Sequence, residues 1–203
     1  MSTVFDKTFE HREALFFAAI DEFAAKGFEN ASINAILFEA GMSKGQFYYH
    51  FGSKEELYLA LIAAVINRKR KFMASRVVPQ DMQAEIFELF SRQLTYGLEF
   101  SQLYPEINRF ADSFIREKGN PIYDKALEQY NLGSADFLEQ IVERAYENGQ
   151  LRRDLPLSFI KHAIGFMFTH AIEIAALTTV DSAGENLEHL IAFLRSGFGS
   201  QNP

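Results

Sequence analysis

The chain has 203 residues, with 20 Lys+Arg against 27 Asp+Glu, 48% hydrophobic residues and no cysteine. This composition supports a buried core and excludes a disordered chain, a disulfide scaffold, Cys-ligated zinc and thiol chemistry. A formal net charge of −7 argues against a nucleic-acid binder, which ordinarily carries a basic excess to neutralise phosphates.

Apolar residues recur at helical rather than alternating spacing, so an all-α fold is expected. The first helix spans about residues 7–26, and Gly27 supplies a left-handed stop. Ser32 caps a short second helix, whose Ile33, Ile36, Leu37 and Ala40 form one stripe and which Gly41 ends. Ser43 and Gln46 fit a capping box opening a third helix to about Phe51, and Ser53 with Glu56 opens a fourth to about Val77. Beyond Pro79, helices are expected at about 81–103, 104–118, 121–148, 156–179 and 185–198. The division falls in the fourth helix. Residues 1–53 form a three-helix head, 54–77 a connector, and 54–203 a larger helical body. The opening residues carry acids where a secretory leader needs an apolar run, and no stretch reaches about 18 clean apolar residues. A cytoplasmic protein without a membrane partner is the expectation.

Two short helices joined by Ala40-Gly41-Met42-Ser43 have the spacing of a helix-turn-helix, whose second helix enters the DNA major groove. The same spacing occurs in purely structural bundles. The stretch from Ser32 to Leu57 narrows the choice. With Ala40-Gly41, the run Tyr48-Tyr49-His50-Phe51 and Ser53-Lys54-Glu55 in order, it resembles the DNA-binding segment of the TetR family of transcriptional regulators. The likeness covers about residues 8–65, with a weaker echo at Gly149-Gln150-Leu151-Arg152-Arg153-Asp154. It implies a three-helix DNA-binding head and a helical effector-binding and dimerisation body. It also implies a ligand-responsive repressor that binds an inverted-repeat operator as a homodimer, without catalysis.

Lys44, Gly45 and Gln46 occupy the first turn of the recognition helix and are the candidates for base contact. Lysine donates to guanine and glutamine pairs with adenine, while Gly45 lets the backbone approach. The alternatives are a solvated Lys44 and a Gln46 occupied by its capping box. Ser32, Ser43, Tyr48, Tyr49, His50 and Lys54 are the candidates for phosphate contact, Ser32 and Lys54 because they stand at helix N-termini. For Tyr49 the head core, with its hydroxyl wet, is the competing and favoured reading. Phe47 and Phe51 read as core. Residues 1–75 hold nine cations and nine acids, so the whole −7 lies beyond them. Four of those nine cations are the Arg68–Lys71 run, which either extends the electrostatic footprint or is a solvated helix face.

In the body, Ile160, Ile164, Met167 and Ala171, with Leu187, Leu190, Ile191 and Leu194, form apolar stripes on the last two helices. Resemblance to the family implies that they pair across a two-fold dimer interface; the alternative is packing within one chain. The body's aromatics suit both core and a pocket. Phe90, Leu94, Phe110, Phe114, Phe137 and Phe166 are the candidates for lining a cavity for an unidentified apolar or aromatic effector, with His162 and His170 as polar anchors. No cofactor and no metal are expected. An enzyme using His162 or His170 with Glu173 lacks any recognisable motif. A helical DNA-binding or adaptor protein without a small-molecule effector is the alternative function.

Overall fold

The computed structural model describes residues 3–76, 84–130, 136–174 and 180–200. After a 3-10 helix at Val4–Asp6 come α1 (Arg12–Asn30), α2 (Ile33–Glu39), α3 (Lys44–His50) and α4 (Lys54–Ala74). They are followed by α5 (Ile86–Leu103), α6 (Pro105–Arg116), α7 (Pro121–Tyr130), α8 (Asp136–Glu147), α9 (Leu157–Thr169), α10 (Ala171–Ile174) and α11 (Val180–Phe198). Among the described residues the one extended pairing is an isolated antiparallel bridge between Leu151 and Gly199. The all-α expectation holds.

The local signals at the head act as their chemistry requires. Gly27 has φ 72° and interrupts α1 before a last turn that closes at Asn30. The Ser43 hydroxyl accepts from the Gln46 N–H at 3.2 Å while the Gln46 side chain accepts from the Ser43 N–H at 2.9 Å, a complete capping box. At α4 the box is displaced by one residue. Ser53 accepts from the Glu56 N–H, but the Glu56 carboxylate reaches past it to the Gly52 N–H at 2.7 Å.

Some boundaries differ from the sequence expectation. Residues 7–11 are not helical; α1 begins at Arg12, after His11 in the left-handed region at φ 61°. Upstream, the 3-10 helix is closed by Asp6, which accepts from the Thr3 N–H. The single helix expected over 121–148 is two, α7 and α8, with 131–135 outside the described residues. The helix expected over 156–179 ends at Thr169, because His170 at φ −105° and ψ 17° leaves helical geometry before the short α10. Residues 175–179 lie outside the described set.

The chain packs as two compact units, residues 1–75 with 100–133, and residues 76–99 with 134–203. A division at residue 53 is therefore not a packing boundary, since α1 lies along α6 and α4 touches α7. In the first unit Phe23, Phe47, Phe51, Tyr58 and Phe110 are fully buried. Tyr58 sits edge-on to Phe23 at 4.8 Å and to Phe110 at 5.6 Å. Each such ring contributes about 1.5–3 kcal/mol through burial alone. In the second unit Phe87, Phe90, Val142, Ile160, Ile164 and Leu194 form the core. There the Gly149–Asp154 segment is tied to the end of α11. Arg152 N–H donates to Phe198 O, the Arg152 guanidinium donates to Gly197 O and pairs with Asp154, and Ser200 N–H donates to Gln150 O.

Candidate nucleic-acid interface

The turn between α2 and α3 follows from one glycine. Gly41 has φ 63°, a region L side chains avoid, and this lets the Met42 N–H reach back to Leu37 O at 2.9 Å. Met42 is thereby buried, and the chain is redirected into the capped start of α3. Phe47 and Phe51, one turn apart, pin α3 to the core with rings stacked at 5.6 Å. Everything on the opposite side of α3 must then face outward.

Lys44 is exposed and makes no ion pair or hydrogen bond among the described residues. Gly45 is also exposed, and a Cβ there would meet only the Ser43 hydroxyl at 4.0 Å. Among the described residues nothing demands a glycine at this position. Gln46 is engaged locally: besides closing the capping box, its amide nitrogen donates to Glu10 Oε2 at 3.2 Å. Tyr48 is 59% exposed and Tyr49 85% exposed. The core reading of Tyr49 is thus corrected, because Phe47 and Phe51 fill the buried side and position 49 falls opposite them. His50 is held by stacking on Phe9 at 4.2 Å.

The two helix-terminus candidates are more constrained. Ser32 accepts from the Ala35 N–H and donates its own backbone N–H to Glu22 Oε1 at 2.8 Å. Burial raises the Glu22 carboxyl, but its bonds to Lys26 and to the Ser32 N–H outweigh that and leave it below the usual range. The Lys54 ammonium donates to Glu29 O at 2.8 Å and Ala31 O at 3.3 Å, and lies 5.0 Å above the Phe28 ring. The Lys54 cation is folded back from the start of α4 onto the carbonyl end of α1, where the helix dipole favours it. Sequence reasoning missed this strap, and it missed Phe38, 87% exposed on α2. The helical period does signal Phe38, which lies off the Ile36–Leu37–Ala40 stripe.

Residues 15–61 match the family described as bacterial regulatory proteins, tetR family. The likeness to the tetR family is carried by this segment, which holds α2, α3 and the start of α4. It is 34% identical over 79 residues to an uncharacterized HTH-type transcriptional regulator, YdgC, of Bacillus subtilis, covering 39% of this chain and 40% of that protein. The HTH-type transcriptional repressor AcnR of Corynebacterium glutamicum is 23% identical over 155 residues, 76% of each chain. A TetR family transcriptional regulator from Chloroflexus aurantiacus has the same fold, with a TM-score of 0.75 at 23% identity over 98% of this chain and 97% of that one. The chain spans about half the length, or less, of the first curated relatives it matches.

Elsewhere in the chain the structure redistributes the candidates. Phe110 and Phe114 belong to the first unit, where Phe110 is buried against Tyr58 and Phe114 stacks on Tyr123 at 4.8 Å. Phe90 and Leu94 belong to the core of the second unit, Phe90 packing edge-on to Phe168. Phe166 is 62% exposed, and the Phe137 side chain lies outside the described residues. The five described candidates are thus divided between the two units. His162 Nδ1 is 2.6 Å from Ser158 O, and His170 packs on Phe166 at 4.4 Å. Among the described residues no group of three or more metal-ligating side chains occurs, and no helix is long and apolar enough to cross a membrane.

Most of the stripe assigned to a dimer interface is buried within the single chain. Ile160, Ile164 and Leu194 have no accessible surface in the single chain, and Ala171, Leu187 and Leu190 are nearly as buried. Met167 and Ile191 are partly buried against the same core. Packing within the chain thus already covers six of these eight side chains, while Met167 and Ile191 keep part of their surface. Among the described residues, the large apolar groups left outside on these helices are Phe159 and Phe166 on α9, Ile174 on α10 and Phe193 on α11.

Proposed function

We propose that this protein is a TetR-family transcriptional regulator of the repressor class that binds an inverted-repeat DNA operator as a homodimer and responds to a small-molecule effector. The observation that carries the reading is α3. It is pinned from one side by Phe47 and Phe51, fixed at its start by the Ser43–Gln46 box, and presents Lys44, Gly45, Tyr48 and Tyr49 outward. A short helix held so rigidly fits the major groove, with lysine reading base edges and the tyrosine hydroxyls donating to phosphates.

Two-fold pairing follows from the operator geometry, since successive major grooves on one face lie about 34 Å apart. The exposed Phe159 and Phe166, seven residues and so about two turns apart on α9, with Phe193 on α11, supply the apolar surface for that pairing. An effector shifts the spacing of the two heads through α4, by as much as its affinity differs between the two states. The relative named AcnR is itself called a transcriptional repressor, which supports the sign of the regulation. Selection from a random duplex library at low salt tests the reading. Enrichment of a palindromic sequence is expected, and enrichment of none overturns it.

A further inference from the structure

Residues 9–11, just before α1, lie against the helix-turn-helix at three places. The Phe9 ring stacks on His50, at the end of α3, at 4.2 Å. Glu10 Oε2 accepts from Gln46 Nε2, in the middle of α3, at 3.2 Å. The His11 imidazole is 3.9 Å from where a Cβ on Gly41 would stand, at the turn between α2 and α3. Among the described residues His11 is also the one non-glycine residue at positive φ, 61°. An L residue takes up that region at a cost and keeps it only where its surroundings over-determine it.

These contacts fix the Gln46 amide the right way round. Its Oε1 accepts the Ser43 N–H at 2.9 Å and its Nε2 faces the Glu10 carboxylate; turned over, it would set N–H against N–H and oxygen against oxygen. A primary amide has two acceptor sites on oxygen and two N–H donors, so one of each stays open. Adenine takes that remaining pair, its N7 accepting and its N6 amine donating, whereas guanine presents two acceptors, N7 and O6. Glu10 stands outside the helix-turn-helix, 36 residues from its partner. Its side chain is 76% exposed, and its other oxygen lies 3.5 Å from His11 Nε2. A carboxylate beside a helix that enters the major groove also repels phosphates.

We propose that Glu10 is a positioning residue for base readout: it holds the Gln46 amide so that α3 accepts adenine and rejects guanine at one base pair of each half-site. Its charge at the same time lowers affinity for DNA of any sequence. The proposal rests on the regulator reading, in which α3 enters the major groove.

The test is fluorescence anisotropy of the full chain on three duplexes: one the parent selects from a random library, its single-base-pair variants, and a random-sequence duplex. Gln46→Ala locates the base pair, where discrimination should fall from about tenfold or more to about twofold. Glu10→Ala should relax discrimination at that same base pair by at least about threefold, and should relax it no further in the Gln46→Ala background. Glu10→Gln keeps an acceptor for Gln46 Nε2 and should discriminate as the parent does. Both Glu10 variants should bind the random duplex about threefold tighter at low salt, an advantage that fades as salt is raised. Without DNA, the NMR resonances of the Gln46 side-chain amide should move in Glu10→Ala. A Glu10 that served only the fold would change affinity alike at every base pair.

Unchanged or sharpened discrimination in Glu10→Ala, relaxation at a different base pair, or Glu10→Gln relaxing it as far as alanine does overturns the proposal and leaves the regulator reading standing. So do a Gln46→Ala variant with the parent's specificity, unmoved Gln46 amide resonances, or random-duplex affinity unchanged in both Glu10 variants. A parent that selects no sequence overturns the regulator reading itself and the proposal with it.

Discussion

The Glu117 carboxylate accepts the Phe28 backbone N–H at 2.7 Å, one residue beyond the left-handed Gly27 that breaks α1. A Cβ built on Gly27 would meet the same Glu117 Oε1 at 2.7 Å. Gly27 thus serves twice, through its positive φ and through the room it leaves. Gly27→Ala should destabilise the chain by about 2 kcal/mol and Glu117→Ala by about 1 kcal/mol in urea unfolding. The double substitution should cost less than the sum, since the two share one contact.

Lys54 ties the start of α4 to the carbonyl end of α1. Lys54→Ala should therefore lower stability by about 1 kcal/mol as well as weaken DNA. A phosphate role alone predicts weaker DNA binding with an unchanged urea midpoint, so the midpoint separates the two.

Tyr58 is buried with its hydroxyl unpartnered, and burial, then the nearby Glu117 charge, push its phenol well above the usual tyrosine range. The folded chain holds this proton more tightly than the unfolded chain does. Its contribution to stability is complete below about pH 10 and is lost as pH rises beyond it. Tyr58→Phe should be neutral or stabilising by up to about 1 kcal/mol at pH 7 and should show a shallower alkaline decline. Unfolding free energies at pH 7 and above pH 10 check both statements.

Lys44 is free of intramolecular bonds among the described residues, so Lys44→Ala should leave the melting temperature unchanged. Its affinity for a selected operator should fall by about 1–3 kcal/mol, with specificity relaxed at one base pair. Fluorescence anisotropy on matched and mismatched duplexes reads this.

Phe193 is 63% exposed on α11, whereas Leu194 beside it has no exposed surface. Phe193→Glu should convert a dimer to a monomer in light scattering while the fold survives. Leu194→Ala should instead destabilise the chain by about 2–5 kcal/mol, as a cavity in a packed core does.

The helical period, Gly27, Gly41 and the Ser32 and Ser43 caps were legible in the sequence because each depends on residues within a turn or two of itself. The same locality explains why Phe47 and Phe51 were readable as core. The Lys54 strap was not legible because its partners, Glu29 O and Ala31 O, lie more than twenty residues away. Tyr49 was misjudged because a three-sided competition for one buried face is resolved only when Phe47 and Phe51 take it. The stripe on α9 and α11 shows the same limit. Periodicity states that a face is apolar, not whether its cover comes from the same chain or another.

By itself the sequence determined an all-helical chain with a helix-turn-helix head, through short-range backbone preferences and the order of residues 32–57. Only the tertiary structure decided which apolar residues were consumed by the core, where Lys54 places its charge, and that α1 packs with α6 in one unit. Those outcomes depend on contacts between residues far apart in the chain, and no local pattern encodes which of several competing side chains will occupy a shared space.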